Sequence, residues 1–122
     1  QIYDYHQKTT GQYPVVERIP GLRCWHESRA IESVGLYIPG GSAPLFSTVL
    51  MLGVPSQIAA NPNRVLITPP MNANGAVHPA VLYAARKCGI EKVFRLGGAH
   101  GIAALSTGIG EIPKVDKLFD MP

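Results

Sequence analysis

Two glycine pairs, Gly40-Gly41 and Gly97-Gly98, stand between a β-rich run and a segment of helical pattern. Before the first, Val34 to Ile38 reads as a short buried strand that Pro39 closes. After it, Ser42 offers an N-cap and Pro44 suits a first helical turn. Glycine takes backbone angles closed to other residues and lets a ligand approach closely. A glycine turn at a helix N-terminus aims backbone N–H groups outward, where an anion or a nucleotide phosphate fits. A turn that needs glycine only for its geometry fits the same residues. The spacing is not G-x-G-x-x-G, so the common dinucleotide fingerprint is absent. Tyr37 is the last strand residue but one before the first pair, and His100 sits in the second glycine turn. Tyr37 reads either as core with its hydroxyl at the sheet edge or as a ligand contact. His100 reads either as a surface side chain or as a partner for a ribose or phosphate.

No other chemistry is visible. The chain has no P-loop, no H-E-x-x-H and no G-x-S-x-G. His6, His26 and His78 are dispersed and read as surface or structural residues, and Asp116, Glu111 and Glu91 form no pair. Cys24 and Cys88 lie far apart without metal-type spacing, so reduced thiols and a cytoplasmic location are the default. The net charge is +3, but the eleven Lys and Arg are scattered, which argues against a nucleic-acid partner. The longest nearly apolar run, Val49 to Ala60, is too short for a bilayer, so no membrane is expected. No signal peptide opens the chain, and without an initiator Met, Gln1 reads as an internal boundary.

These residues must be positioned by a chain of 122 residues, 46% hydrophobic and 16% charged, which suits one globular core. Residues 1–10 read as a helix end stopped by Gly11, and Tyr13-Pro14 opens a linker to Pro20-Gly21. Leu22 to Glu27 and Ala30 to Ile38 read as a hairpin with its turn at Ser28-Arg29. A helix at about 44–60 follows, carrying Pro55, which should kink it. Next come a strand at 65–68, a helix at about 77–88 with Gly89 after its end, and a strand at 92–96. A third helix stops near Gly108, and Val115 to Phe119 is a last strand. Alternating strands and helices predict an α/β open sheet, mostly parallel, with helices packed on its faces. Ligands of such sheets bind beyond the carboxyl ends of the strands. Four loops should converge there: Pro39–Pro44, Pro69–Gly75, Gly97–Gly101 and Asp120–Pro122.

The run from Val34 through Pro39-Gly40-Gly41-Ser42 to Leu45, then Ser47-Thr48-Val49-Leu50-Met51-Leu52, resembles the central signature of histidinol dehydrogenase. Leu82-Tyr83-Ala84-Ala85, Cys88-Gly89, Gly97-Gly98-Ala99 and Ile102-Ala103-Ala104-Leu105 continue the match, as does Ile112-Pro113-Lys114-Val115-Asp116-Lys117. The resemblance covers roughly residues 15 to 119. It implies an enzyme that oxidises L-histidinol to L-histidine through an aldehyde in histidine biosynthesis, using NAD twice in succession. It also implies a zinc-dependent homodimer in the full-length protein. By the same resemblance, residues 37–122 are an incomplete Rossmann-like NAD-binding domain, and residues 1–36 are the tail of a neighbouring segment. Tyr37, Pro39, Gly40, Gly41, Gly97, Gly98 and His100 become the cofactor-binding set.

The sequence departs from the family at His100, where the family has Gln, and after Phe119, where the family reads Gly-Pro-Gly-Asn. The family's zinc ligands and its Glu-His acid/base pair fall beyond Pro122. No catalytic residue and no metal ligand is therefore expected in this chain. Alone it is expected to be inactive. The competing reading is a truncated relative that binds a nucleotide or a partner and catalyses nothing.

Overall fold

The computed structural model describes residues 1–40, 43–71 and 74–121. In chain order the elements are α1 (Ile2–Thr9), β1 (Val16–Ile19), β2 (Leu22–Cys24), β3 (Ser33–Tyr37), α2 (Phe46–Ile58) and β4 (Asn63–Ile67). They continue with α3 (Pro79–Lys87), β5 (Lys92–Phe94), α4 (Gly98–Thr107) and β6 (Lys117–Phe119). β3 to β6 form one sheet in the order β5-β4-β3-β6, and every neighbouring pair in it is parallel. The α/β class and the parallel sheet expected from the sequence are those observed.

β3 alternates between two buried faces. Val34, Leu36 and Ile38 face a core shared with Val49 and Val54 of α2, Val81, Ala84 and Ala85 of α3, and Cys88 beyond its end. On the other face Val65 and Ile67 of β4 pack with Leu105 of α4 and Val115, and Tyr37 joins them. Helices α2 and α3 therefore cover one face and α4 the other. Burial on both faces explains why the strands read as near-continuous apolar runs rather than as alternation. Each fully buried Val, Leu or Ile contributes about 1.5–3 kcal/mol of hydrophobic stabilisation.

Hydrogen bonds fix the ends of these elements. Ile90 N–H donates to Ala85 O and Gly89 N–H to Arg86 O, with Gly89 at φ +68, which closes α3 in a Schellman motif. Arg64 adds its guanidinium to the same helix end, donating to Cys88 O at 2.6 Å and Gly89 O at 3.1 Å. Asn61 donates to Ile31 O at 2.8 Å and so ties the exit of α2 to the entry of β3. The expected stop of α4 also holds: Gly108 takes φ +75 and its N–H donates to Ala104 O.

Two local expectations are corrected. The hairpin is β1 with β2, not Leu22–Glu27 with Ala30–Ile38. Its turn is Pro20-Gly21, where Gly21 takes φ +87 and Ile19 pairs with Leu22, so the supposed linker supplies a strand. β3 pairs instead with β4 and β6. Helix α2 begins at Phe46, after Pro44, because Leu45 at ψ +54 breaks the helical run. Ser42, read as the N-cap, lies outside the described residues. Pro55 lies inside α2 as expected, and Ser56 Oγ donates to Gly53 O at 2.7 Å.

Candidate functional site

The chain order sets where a ligand can sit. From β3 to β5 the strands are laid down outward in one direction; α4 then carries the chain back across the opposite face to β6, beside β3. The crevice between the carboxyl ends of β3 and β6 is the switch point of the sheet, the usual ligand position in open α/β folds. Because all four strands are parallel, the described residues that leave their carboxyl ends, Pro39, Pro69 and Asp120 among them, lie at this one edge.

Tyr37 is the last residue of β3, half-buried against the α4 side of the sheet. Its hydroxyl accepts a hydrogen bond from Gly98 N–H at 3.1 Å. Two of the residues read as a site are thus joined directly, across 61 positions of sequence. Since Oη is the acceptor, the phenolic O–H remains able to donate elsewhere.

Gly98 is the first residue of α4, with φ +62, and a methyl added there would meet nothing within 4 Å. The turn needs glycine for its backbone angle, and the space a side chain would take is open. Gly97 precedes it as N-cap in extended conformation. The first helical bond of α4 runs from Gly101 N–H to Gly97 O, so the Ala99 and His100 amides are first-turn donors. His100 is exposed in that same turn.

Gly40 and Gly97 meet through Pro69, the first residue of another of the loops expected to converge. A methyl on Gly40 would lie 2.5 Å from Pro69 Cγ, and one on Gly97 2.8–3.0 Å from Pro69 Cβ, Cδ and Cγ. The Pro69 ring therefore sits against both glycine loops. The available signal was a proline ending the strand that lies between two strands followed by Gly-Gly. Pro39 is half-buried at the head of the first loop, Gly40 is exposed, and Gly41 lies outside the described residues.

The other histidines have structural partners. His78 caps α3, its Nδ1 accepting from Ala80 N–H at 3.1 Å. His26 stacks on Tyr13 at 4.3 Å, and His6 lies edge-on to Tyr5. Among the described residues no three His, Cys, Asp or Glu gather as a metal-binding group. No described helix is long and apolar enough to cross a membrane. A polar cleft of about 730 Å³ opens at the opposite, amino edge of the sheet, lined by Arg64, Lys92, Lys114 and Asp116 among others. Two of these serve the fold: Arg64 caps α3, and Asp116 Oδ2 accepts from Ser33 N–H at 3.0 Å.

The family model for histidinol dehydrogenase matches residues 1–120. Curated histidinol dehydrogenases from Bacteroides fragilis and Salmonella choleraesuis are each 51% identical over 118 residues, 97% of this chain. The chain spans 27% and 26% of their respective lengths. The crystal structure of histidinol dehydrogenase from Elizabethkingia anophelis superposes with a TM-score of 0.92 at 45% identity, covering 99% of this chain and 28% of that one. With a family model across almost its whole length and half its residues identical to those of curated members, the chain belongs to the histidinol dehydrogenase family.

Proposed function

We propose that this chain is the NAD-holding part of a histidinol dehydrogenase, which oxidises L-histidinol to L-histidine through an aldehyde. Family membership supports the reaction class. The observation that carries the assignment to this edge is the Tyr37–Gly98 hydrogen bond at the sheet's switch point. The residues fit a dinucleotide. Gly98 leaves open space, Tyr37 has a hydroxyl proton to give to a ligand oxygen, and Ala99 and His100 offer first-turn amides. Tyr37, Pro39, Gly40, Gly41, Gly97, Gly98 and His100 would hold the cofactor, which accepts hydride when bound.

The described residues do not fit zinc, since no ligand group converges, and no step is derived through it. Alcohol oxidation also needs a base at the hydroxyl, and the family resemblance places the Glu-His acid/base pair beyond Pro122. The whole enzyme, by this reading a homodimer, would bring acid/base and zinc groups from outside this chain. A neighbouring segment would end before β3 rather than at residue 36, since Val34 and Leu36 lie in the sheet core; α1 and the β1–β2 hairpin contain no buried residue.

Titration of NAD followed by amide shifts tests the assignment. Shifts should map to Tyr37, Gly40, Gly97, Gly98 and His100. Shifts clustered at the amino edge, or none at all, would sink it. The binding-module reading predicts the same shifts but no NADH from histidinol in the full-length protein.

A further inference from the structure

We propose that Pro69 is a positioning residue that sets the separation of the two glycine loops at the cofactor edge, an inference that rests on the NAD reading above. Pro69 follows β4, the strand between β3 and β5. The ladders on both sides are extended to its doorstep: Ile38 N–H donates to Ile67 O at 2.9 Å, and Thr68 N–H donates to Phe94 O at 3.1 Å. Thr68 is buried, so the residue that launches Pro69 is fixed by core packing as well as by hydrogen bonds. The ring then fills the space between Gly40, three residues beyond β3, and Gly97, at the mouth of α4.

Neither neighbour tolerates even one more carbon. The added methyl at Gly40 would come within 2.5 Å of Pro69 Cγ, and that at Gly97 within 2.8 Å of Pro69 Cβ. Contacts this short force either the loop or the ring to move. The contacts at Gly97 include Cβ and Cδ, the ring atoms bonded to the backbone, so the ring yields little there. Gly97 leads directly into Gly98, whose N–H is held by the Tyr37 hydroxyl. A shift of Gly97 therefore carries the first turn of α4, with its donors and His100, away from Tyr37. Proline suits the role because a half-buried, rigid ring spaces two backbones without demanding a hydrogen-bond partner.

The test is a double-variant cycle in this chain, with NAD affinity and unliganded amide spectra as readouts. Gly97→Ala should weaken NAD by about tenfold, the scale of one overpacked contact. Pro69→Ala should also weaken NAD several-fold, and should move the Gly40 and Gly97 to His100 amide signals without ligand. Gly40→Ala should weaken NAD in the same way, and Gly40→Ala/Pro69→Ala should bind more tightly than Gly40→Ala, because the change removes Cγ, the ring atom 2.5 Å from that methyl. Gly97→Ala/Pro69→Ala should recover only in part, because Cβ, 2.8 Å from the Gly97 methyl, stays. Additive losses, or a Pro69→Ala spectrum unmoved at Gly40 and Gly97, would overturn the inference while leaving NAD binding by the parent chain intact. A parent chain that gives no saturable shifts with NAD would instead remove the cofactor reading, and this inference with it.

Discussion

The Tyr37 hydroxyl oxygen lies 3.1 Å from the Gly98 amide nitrogen and accepts its hydrogen bond. The bond joins the end of the first sheet strand to the start of the helix that crosses to the other face. It also answers one of the donors that a helix N-terminus leaves without an intrahelical partner.

Tyr37→Phe keeps the ring against Ile67 and the α4 side of the core and removes only the acceptor. Gly98 is exposed, so water replaces the lost partner and the stability cost should stay within about 0.5–1.5 kcal/mol. NAD affinity should fall further, by about tenfold, because a ligand contact and the anchor of the α4 turn go together. Thermal melts and NAD titration of the same preparation separate the two effects. Unchanged affinity would remove Tyr37 from the site.

Gly53 sets the approach of α2 to the end of α3. A methyl there would stand 2.8 Å from Cys88 Sγ and 2.9 Å from its Cβ. Gly53→Ala gains up to about 1 kcal/mol of helix propensity, against about 1–3 kcal/mol for overpacking. The steric cost should win, leaving a net loss near 1 kcal/mol. Cys88→Ala in the Gly53→Ala background should recover part of it. Denaturant unfolding of the four proteins checks this, and a stabilised Gly53→Ala would contradict it.

Much of the fold was legible because its signals are local. Val81, Ala84, Ala85 and Cys88 recur at helical spacing and pack into one core, and Gly89 follows the end of α3 as expected. The hairpin was misread because Pro20-Gly21 was taken for linker rather than turn. Its strands, Val-Glu-Arg-Ile and Leu-Arg-Cys, bury nothing and show no core-facing pattern. At the site, glycine pairs at strand ends drew attention to Gly40 and Gly97, and the parallel sheet brings their loops to one edge. A proline at the strand end is visible in the sequence, but its contact with both glycine loops depends on the lateral order of the strands. No sequence spacing encodes that β4 lies between β3 and β5.

The two thiols should differ sharply. Cys24 is exposed, whereas Cys88 is 1% exposed beneath α2. Burial pushes the Cys88 thiol above its ordinary 9.0, with the Arg64 guanidinium pulling weakly the other way. A thiol reagent should modify Cys24 at once and Cys88 only on opening of the fold. The folded protein also holds the Cys88 proton more tightly than the unfolded chain does. Stability from this group is therefore complete below pH 9.0 and falls as pH rises through the raised folded value. The pH profile of unfolding, compared with that of Cys88→Ala, isolates it. Identical alkaline slopes would refute the effect.

His100 stands in the first turn of α4, exposed, three residues beyond Gly97. The family resemblance puts Gln there. A neutral imidazole offers one donor and one acceptor, whereas a carboxamide offers two donors and an acceptor on a longer, more flexible stem. If the Ala99 and His100 turn faces the cofactor, the carboxamide can meet a ligand oxygen that the ring meets less well. One such hydrogen bond is worth about 0.5–1.5 kcal/mol net. His100→Gln should therefore tighten NAD by several-fold, with little change in stability because the side chain is solvent-exposed. It should not create turnover, since hydride removal from histidinol also needs a base at the hydroxyl, and the family resemblance places that acid/base pair beyond Pro122. The check is NAD titration of parent and His100→Gln, followed by NADH absorbance with histidinol present. Weaker binding in His100→Gln would place the side chain away from the cofactor, and NADH formation by this chain would show that a base at this edge had been overlooked.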